Sequence, residues 1–370
     1  MMQKKTFVTL CPLESNNLLV KDIGQIPYTM GKLYGYDAYY ANADINLNGD
    51  YIDDISDGMK IDKFPKWTKN WKINGLIYIL KNGKKIDWLN IYFAGHNSYL
   101  WSKAYKLVNP KGHVYVKLDM DYRYCEKIDK DENKRKWFVK CVEYADLVSV
   151  ESEPVLNRIM KYTKKDIKFI PNGSYIYTDF DPSKKGNMFL TVGRLGTKQK
   201  ATEILLQAFA KSAKQHNWSL TLVGPIQDDF KPYIEKFTSE HEELKTRIHF
   251  TGNITTRQEI SEYYKKAKVF VLPSRWEGYA LVLPEAVSNG CFVITTNGVP
   301  SAQYLTDNGK YAEIVDIDDV DALSKALIDA AKINYSVELY EKIAEYGKQV
   351  SSWEDICGNL NKYMLECEGQ

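Results

Sequence analysis

Long apolar runs are missing from this 370-residue sequence. A membrane-spanning helix needs about 18 or more consecutive apolar residues, so no such helix is expected. After a lysine pair, the start offers only the short apolar stretch 6–10 before Cys11, Pro12 and Glu14. That stretch is too short for the apolar core of a secretory signal peptide. These absences predict a cytoplasmic protein.

Paired cysteines and clustered histidines are missing as well. The six cysteines lie far apart without a CxxC motif, and several fall inside apolar stretches, as buried free thiols do. The five histidines never show the HxxH or HxxxH spacing of paired metal ligands. We therefore expect neither a disulfide framework nor a zinc site.

The composition itself is that of a globular protein, with 44% hydrophobic and 26% charged residues, which excludes long disorder and collagen-like repeats. The length favours two domains. Residues 1–178 carry 28 Lys and Arg against 21 Asp and Glu, a net charge of +7, whereas residues 179–370 carry 22 against 27, a net charge of -5. The two halves are therefore expected to face different partners.

The densest basic segment is 59–86, where eight lysines face Asp62 alone and Phe64, Trp67 and Trp71 are interleaved. Such a segment is typical of a surface that rests on an anionic membrane or holds an acidic acceptor. The alternative is a solvated face with structural tryptophans, and the sequence leaves both open. Nucleic acid is not expected as a partner, because the isoelectric point of about 8.0 is low for it.

Short β-rich apolar runs alternate with helical patterns along the whole chain, and the alternation restarts after a polar connector at 178–187. The predicted strands are 7–10, 88–93, 113–117, 147–150 and 167–170, then 188–192, 220–223, 248–251, 268–272, 292–296 and 311–315. The predicted helices are 134–144, 153–162, 202–215, 230–242, 257–266, 281–289 and 353–367.

This alternation predicts an α/β protein with two doubly wound parallel sheets. We expect an N-terminal Rossmann-like domain at 1–178, a C-terminal one at 179–350, and a final helix at 351–370 that crosses back onto the first domain. Ligands of such sheets bind beyond the carboxyl ends of the strands, so a site in the cleft between the domains is expected.

The segment PSRWEGYALVLPEAVSNG (273–290) follows a strand and opens a helix. Glu277 falls in the loop and Glu285 in the first turns of the helix. A carboxylate there suits the hydroxyls of a ribose or a sugar. The amides of the residues that begin the helix form a seat for negative charge, and Gly278 lets the backbone approach a ligand. The alternative is that Glu277 only caps the helix and Glu285 is exposed to solvent.

The segment TVGRLGTKQKA (191–201) is again a strand, a glycine-bearing turn and a helix start. Arg194 and Lys200 lie where the strand ends and the helix begins. A pair of cations beside helix-end amides is what a diphosphate needs. Lys and Arg are common in surface loops, so either residue alone is a weak signal.

Together these segments resemble glycosyltransferase family 4, whose members are retaining enzymes of the GT-B fold. EGYALVLPE (277–285) matches the family's E-x7-E element, and GRLGTKQKA (193–201) matches its Gly-Arg to Lys element. The likeness is extended by IPNGSY (170–175), LTLVGP (220–225), IHFTGN (248–253) and TNGVPS (296–301). The resemblance is strong over 188–330 and weak before 145.

The resemblance implies a donor site in the C-terminal half. Arg194 and Lys200, beside Gly193, would hold the donor diphosphate. Glu277 would meet the donor sugar and Glu285 the ribose. The remaining implied donor contacts are the backbone of Gly278, Tyr279, Ala280 and Leu281, and Asn253 or Ile254 beside the nucleobase. The nucleotide sugar is a co-substrate, so no cofactor and no required metal are expected.

The N-terminal half departs from the family pattern in two places. Many members have two adjacent glycines after the first strand, where this chain offers only Gly24. Members often carry a His near the reacting sugar, where this chain reads VYVKLDMDY (114–122). Asp119 is one candidate for the role of that His, and His96 is the other. The Asp-x-Asp spacing at Asp119 and Asp121 recurs several times in the chain, so it does not indicate a metal site.

The resulting hypothesis is a retaining glycosyltransferase. It would move a hexose or N-acetylhexosamine from a nucleotide-diphosphate sugar, preferably a UDP-sugar, to a hydroxyl of a glycan, lipid-linked or protein-linked acceptor. The charge pattern further predicts that the protein attaches peripherally to the inner face of the cell membrane. Two alternatives stay open, namely a non-catalytic GT-B partner subunit of a transferase complex and a UDP-sugar epimerase.

Overall fold

The structure is a computed structural model that describes residues 4–12, 18–43, 58–175 and 180–369. The chain forms two compact units. Unit 1 comprises Met1–Gly173 and Ser352–Gln370, and unit 2 comprises Ser174–Ser351. The domain boundaries predicted from the sequence are 178/179 and 350/351, and the first of these lies outside the described residues.

Unit 1 is built on a parallel sheet whose described strands lie in the order β3-β2-β1-β4-β5-β6-β7. Its strands are β1 (Thr6–Leu10), β2 (Asp37–Ala43), β3 (Ile61–Phe64), β4 (Trp88–Tyr92), β5 (His113–Lys117), β6 (Leu147–Val150) and β7 (Ile167–Phe169). Strands β4 and β6 are buried at every position, because helices cover both faces of a parallel sheet.

The helices between these strands carry recognisable caps. They are α1 (Asp22–Leu33), α2 (Trp71–Asn82), α3 (His96–Val108), α4 (Tyr122–Lys130), α5 (Glu132–Tyr144) and α6 (Glu153–Ile159). Asp121 and Asp131 begin α4 and α5, where their side chains accept the N–H groups of Tyr124 and Lys134. Apolar side chains of α2 to α6 then pack with those of β1, β4, β5 and β6 in one core.

Unit 2 repeats the architecture with a parallel sheet of order β10-β9-β8-β11-β12-β13. Its strands are β8 (Gly186–Val192), β9 (Ser219–Val223), β10 (Ile248–Gly252), β11 (Ala267–Leu272), β12 (Phe292–Thr296) and β13 (Ala312–Val315). The order reverses between β8 and β11, which are neighbours in the sheet. The loops that follow these two strands therefore meet at the switch point where α/β sheets bind ligands.

Helices cover both faces of this second sheet. They are α7 (Thr202–Ser212), α8 (Lys231–Glu240), α9 (Arg257–Lys266), α10 (Val282–Ser288), α11 (Ala302–Leu305), α12 (Val320–Lys332) and α13 (Val337–Ser351). One core lies under α7, α8 and α12, and a second lies under α10 and α13. The predicted α/β class with two doubly wound parallel sheets is confirmed.

The final helix, α14 (Trp353–Glu368), belongs to unit 1. Its apolar face, which includes Ile356 and Leu360, packs with Phe7 and Met30 in a small core. All six cysteines lie among the described residues and carry thiols outside any disulfide, and five of them are buried. Within the described ranges, no helix combines the length and apolar character needed to cross a membrane.

Candidate functional site

Gly193 follows β8 and makes room for the side chain of Lys200. Its N–H donates to the carbonyl of Val223 at 2.9 Å, which continues the sheet beyond the strand. A Cβ atom on Gly193 would lie 3.2 Å from Cε of Lys200 and 3.8 Å from its Nζ. The absence of a side chain at 193 therefore lets the lysine fold back over the end of the strand.

Lys200 and Glu277 are 77 residues apart in sequence and form an ion pair. Nζ of Lys200 lies 2.6 Å from Oε1 of Glu277, and the two side chains are only 16% and 8% exposed. Charges taken out of water in this way persist only where further hydrogen bonds satisfy them. The structure thus brings together two residues that the sequence analysis assigned to one donor site.

Two further donors hold the carboxylate of Glu277, and the sequence analysis missed both. Ser274 donates its hydroxyl to Oε1 at 2.6 Å, and Nε2 of Gln199 donates to Oε2 at 3.0 Å. The backbone N–H of Glu277 donates to the carbonyl of Gly298 at 3.0 Å. The carboxylate is therefore held in one orientation. Gln199 and Ser274 stand inside the two quoted segments, but nothing in the spacing singles them out.

Arg194 is exposed, and its side chain lies beside the same group. Its Nη2 atom is 3.5 Å from Oε1 of Gln199, at the limit of a hydrogen bond, and Gln199 in turn contacts Glu277. The guanidinium therefore stands close to the Lys200–Glu277 pair while staying accessible to a ligand. Phosphate oxygens match the planar fork of such a guanidinium.

A second arginine, Arg275, links the loop after β8 to the loop after β11. The sequence did not predict this role. Its Nε and Nη2 atoms donate to Asp318 and Glu203, each at 2.6 Å. Its Nη1 donates to the carbonyl of Lys198 at 2.7 Å, and its backbone N–H donates to the carbonyl of Gln199 at 2.8 Å. Each nitrogen of its guanidinium thus donates to protein, and Arg275 fixes the loop that carries Lys200.

Residues Gly278 to Leu281 lead into α10, which begins one residue after its predicted start. Ala280 adopts a left-handed backbone with φ of 62°, and the carbonyl of Tyr279 accepts a hydrogen bond from the Ser301 hydroxyl. An irregular turn here orients the amides that precede the helix, where N–H groups have no intrahelical partner.

Glu285 lies in the first turn of α10 and is 19% exposed. The hydroxyl of Tyr264 donates to its Oε2 at 2.9 Å, and Nη1 of Arg257 is 3.9 Å from its Oε1. Burial raises the pKa of Glu285, and Arg257 and Tyr264 oppose that rise. The carboxylate is thus oriented by two side chains of α9, which no sequence signal connected with it.

Asn253 and Ile254 follow β10 and line a cavity of about 500 Å³ in unit 2. The wall is completed by the start and one side of α9, including Glu259 and Tyr263. A volume of this size is ordinary for a small-molecule site. Among the described residues, no three or more His, Cys, Asp or Glu side chains are grouped so that they could hold a metal ion.

The three candidate site residues of unit 1, Gly24, His96 and Asp119, have different structural environments. Gly24 is in the first turn of α1, where a Cβ atom would lie 2.3 Å from the carbonyl oxygen of Leu19, so the backbone packing accounts for the glycine. His96 begins α3 and packs edge-on against Trp137, with ring centroids 4.3 Å apart. Asp119 follows β5 with φ of 44°, and burial raises its pKa to about 6.

Comparison with known proteins supports the resemblance over the second half of the chain. Residues 178–350 match the family model described as Glycosyl transferases group 1. The chain is 27% identical to the amylovoran biosynthesis glycosyltransferase AmsD of Erwinia amylovora, over 60% of this chain and 65% of AmsD. The aligned region thus spans less than two thirds of that relative.

Solved structures show the same fold over nearly the whole chain. The apo form of the lipopolysaccharide outer core galactosyltransferase WaaB has a TM-score of 0.71 at 17% identity, covering 98% of this chain and 99% of WaaB. Anabaena HepE in complex with UDP and glucose has a TM-score of 0.71 at 14% identity, with the same coverage of both chains. The expected GT-B fold is confirmed.

Proposed function

We propose that this chain, which carries a group 1 glycosyl transferase domain in a GT-B fold, is a retaining glycosyltransferase. It moves a hexose or N-acetylhexosamine from a nucleotide-diphosphate sugar, preferably a UDP-sugar, to a hydroxyl of a glycan, lipid-linked or protein-linked acceptor. The observation that carries the proposal is the Lys200–Glu277 pair, held by Gln199 and Ser274 at the end of β8. Support for UDP comes from HepE, whose solved complex contains UDP and glucose.

The donor diphosphate is assigned to Arg194, Lys200 and the amides of 278–281. An ammonium has three donor hydrogens, and the hydrogen bond of Lys200 to Glu277 uses one of them. The other two suit phosphate oxygens. Arg194 adds an accessible charge beside it. Two cations at this place would balance the charge that a nucleoside diphosphate brings.

The remaining donor contacts follow from the neighbouring groups. Glu277, fixed by three donors, accepts hydrogen bonds from hydroxyls of the donor sugar. Glu285 accepts from the ribose, with Tyr264 and Arg257 setting its orientation. The cavity beside Asn253 and Ile254 takes the nucleobase.

The chemistry of transfer breaks the bond between the anomeric carbon and the diphosphate oxygen. Negative charge grows on the leaving diphosphate as that bond lengthens, and preorganised cations and amides lower the barrier by stabilising it. The acceptor oxygen bonds to the anomeric carbon on the same face, and its proton passes to the departing phosphate. Configuration is then retained, and no metal ion is needed to neutralise the leaving group.

Replacement of Arg194 by Ala tests the proposal. The side chain is exposed, so the free energy of unfolding should change little, whereas loss of one charged donor should lower kcat/KM for the nucleotide sugar about a hundredfold. Lys198→Ala is the matched control, because Lys198 is an exposed cation of the same loop that contacts Arg275 only through its carbonyl.

The assay follows release of UDP from a panel of UDP-sugars by the isolated chain, with and without added glycan acceptors. Wild-type activity in Arg194→Ala would refute the donor assignment. The complete absence of turnover by the wild-type chain would favour a partner subunit without activity of its own. Conversion of the donor sugar without any acceptor would favour an epimerase.

We also propose that the basic surface of unit 1 rests on an anionic membrane at the inner face of the cell membrane, where the acceptor is displayed. Trp67 is structural, because it stacks on Phe64 with ring centroids 5.4 Å apart. Leu80 of α2 and Leu107 of α3 are exposed, Leu107 by 80%. The same unit exposes a lysine triplet (Lys63, Lys66 and Lys69). Apolar side chains amid lysines suit the boundary between acidic headgroups and lipid chains.

A further inference from the structure

A cavity lies at the amino-terminal edge of the unit 1 sheet, and the donor chemistry proposed above does not use it. Its volume is about 640 Å³, which is within the range of small-molecule sites. Thr6 and Asp37, which begin β1 and β2, line it together with Asp62 of β3. Ligands of parallel α/β sheets bind at the opposite, carboxyl-terminal edge. This cavity is therefore a separate feature of unit 1.

The inner wall of the cavity is apolar. Val8 and Ile86 are each 2% exposed and belong to the core of unit 1, as does Tyr78 of α2, which is 1% exposed. The half-buried ring of Tyr39 adds an aromatic surface. Covering such a wall is favourable for a ligand that has an apolar face.

Two hydrogen-bond acceptors stand on the same wall. The buried hydroxyl of Tyr78 donates to Oδ2 of Asp62 at 2.5 Å, which orients the carboxylate and leaves Oδ1 for a ligand. Asn82 lies one turn further along α2, and its Nδ2 donates to the carbonyl of Tyr78 at 3.2 Å. The amide oxygen of Asn82 is then the second acceptor. Neighbouring acceptors of this kind suit hydroxyl groups.

The other carboxylate of the cavity, that of Asp37, is already paired. Its Oδ1 forms an ion pair with Nζ of Lys60 at 2.6 Å, and its Oδ2 accepts the hydroxyl of Tyr39 at 2.9 Å. Both oxygens are engaged, and the charge of Lys60 offsets that of Asp37. Asp37 therefore adds neither a net charge nor an open acceptor to the site.

Two exposed lysines line the cavity where α2 ends. Lys84 and Lys85 belong to the short 3-10 turn Gly83–Lys85 that follows α2. Within the ranges that the structure describes, neither ammonium has an acidic partner. Two lysines against Asp62 leave the cavity with a net charge of +1, since Asp37 is offset by Lys60.

These groups together fit an anionic sugar. The net positive charge disfavours a cation, and a neutral sugar would leave both ammonium groups without a partner. A hexuronate carries one carboxylate, several hydroxyls and the apolar face of a sugar ring. Its carboxylate can form charge-assisted hydrogen bonds with the lysines, while its hydroxyls donate to the two acceptors.

We propose that this cavity binds a hexuronate unit of an acidic glycan. Lys84 and Lys85 bind the carboxylate of the sugar, and Asp62 and Asn82 accept hydrogen bonds from its hydroxyls. The ring packs against Tyr39 and the apolar wall. The assignment of this glycan as an acceptor or product of the chain rests on the proposed function, but the binding site itself does not.

The test measures binding of simple glycosides to the full chain without nucleotide, by saturation-transfer NMR titration. The probes are methyl α-glucuronide and methyl α-galacturonide, each paired with its neutral counterpart, methyl α-glucoside or methyl α-galactoside. At least one uronide should bind about fivefold more tightly than its counterpart, which is the upper end for an exposed ion pair. The double variant Lys84→Gln, Lys85→Gln should remove this preference and leave the melting temperature unchanged, because both side chains are exposed.

The matched control is the double variant Lys127→Gln, Lys130→Gln. It changes the net charge of the chain equally at two exposed lysines of α4, outside the cavity, so the preference for the uronide should persist. Asp62→Asn keeps an oxygen for the Tyr78 hydroxyl but places an amide donor where the free oxygen was. Its Kd for the neutral glycoside should rise about fivefold, because one hydrogen bond is lost.

Three results would overturn the proposal. They are the absence of uronide binding, equal binding of a uronide and its counterpart, and a preference that survives the loss of Lys84 and Lys85. Binding of glycerol 1-phosphate more than tenfold tighter than any uronide would also overturn it, since the cavity would then be a site for phosphate headgroups.

Further outcomes separate this site from the proposed function. Arg194→Ala should leave the uronide Kd unchanged, because Arg194 lies in unit 2; loss of binding in that variant would place the uronide in the donor site and refute the cavity. Uronide binding by a chain that turns over no UDP-sugar would support this site while refuting the proposed transferase. Turnover without uronide binding would refute this site alone.

Discussion

Glu151→Gln removes a titrating group from the interior of unit 1 and changes the shape of the side chain little. Glu151 is fully buried, and its Oε1 accepts the N–H of Met120 at 2.8 Å. The amide oxygen of a glutamine can keep that hydrogen bond. Burial and the nearby Asp119 raise the pKa of Glu151 from 4.5 to about 8, and Lys117 opposes the rise. The variant therefore isolates the contribution of one proton to stability.

The sign of the pH dependence of stability follows from the direction in which the pKa of Glu151 is shifted. In the folded protein Glu151 keeps its proton up to about pH 8, whereas in the unfolded chain it loses the proton near pH 4.5. Between these values folding takes up a proton, so the free energy of unfolding falls as the pH rises. One pH unit of full slope corresponds to about 1.4 kcal/mol, and the slope halves where pH reaches the folded pKa of about 8. The wild type should therefore lose about 2 kcal/mol from this group between pH 6 and pH 8.

Urea unfolding at pH 6 and pH 8, followed by tryptophan fluorescence, measures this difference. Six of the eight tryptophans belong to unit 1, so the signal reports mainly on that unit. The loss of stability between the two pH values should be about 2 kcal/mol smaller in Glu151→Gln than in the wild type. Glu153→Gln, the same change at an exposed position, should behave as the wild type does. An unchanged pH dependence in Glu151→Gln would refute the reasoning.

Two other predictions concern packing and the membrane surface. Gly24→Ala should lower the free energy of unfolding by about 2 kcal/mol in the same urea assay, because its Cβ would overlap the Leu19 backbone, whereas Gly95→Ala, with nothing within 4 Å, should cost little. Wild-type stability of Gly24→Ala would contradict the packing argument. Charge reversal of the lysine triplet should release the chain from anionic liposomes in a flotation assay, while reversal of three exposed unit 2 lysines should not. Binding that is insensitive to both the variant and salt would count against the membrane proposal.

Local sequence patterns predicted most strands of the two sheets, because buried parallel strands are nearly continuous apolar runs. The strand predicted at 268–272 is observed as Ala267–Leu272, and that at 292–296 is observed at the same residues. Because both faces of such a strand are buried, its residues form an apolar run that can be recognised in the sequence alone. The helix predicted at 257–266 is likewise observed at those bounds, with Thr256 as its cap.

Elements without a clear apolar pattern were missed. Strand β2 reads DAYYANA and β3 is only four residues long within a lysine-rich segment, so neither forms a strong apolar run. Helix α1 contains both Gly24 and Pro27, which weaken a helical signal. These elements are stabilised by neighbours distant in sequence, as β2 is by pairing with β1. Tertiary context therefore overrode local propensity in the first half of the chain.

The sequence by itself determined the fold class and the two segments that carry Lys200 and Glu277, because each follows a buried strand and opens a helix. Only the tertiary structure decided that these residues pair at 2.6 Å and that Gln199 and Ser274 hold the carboxylate. The proximity of Asp119 and Glu151 was equally invisible, since one follows β5 and the other follows β6. Burial and proximity, which set the charge states of these groups, arise only when distant segments are packed together.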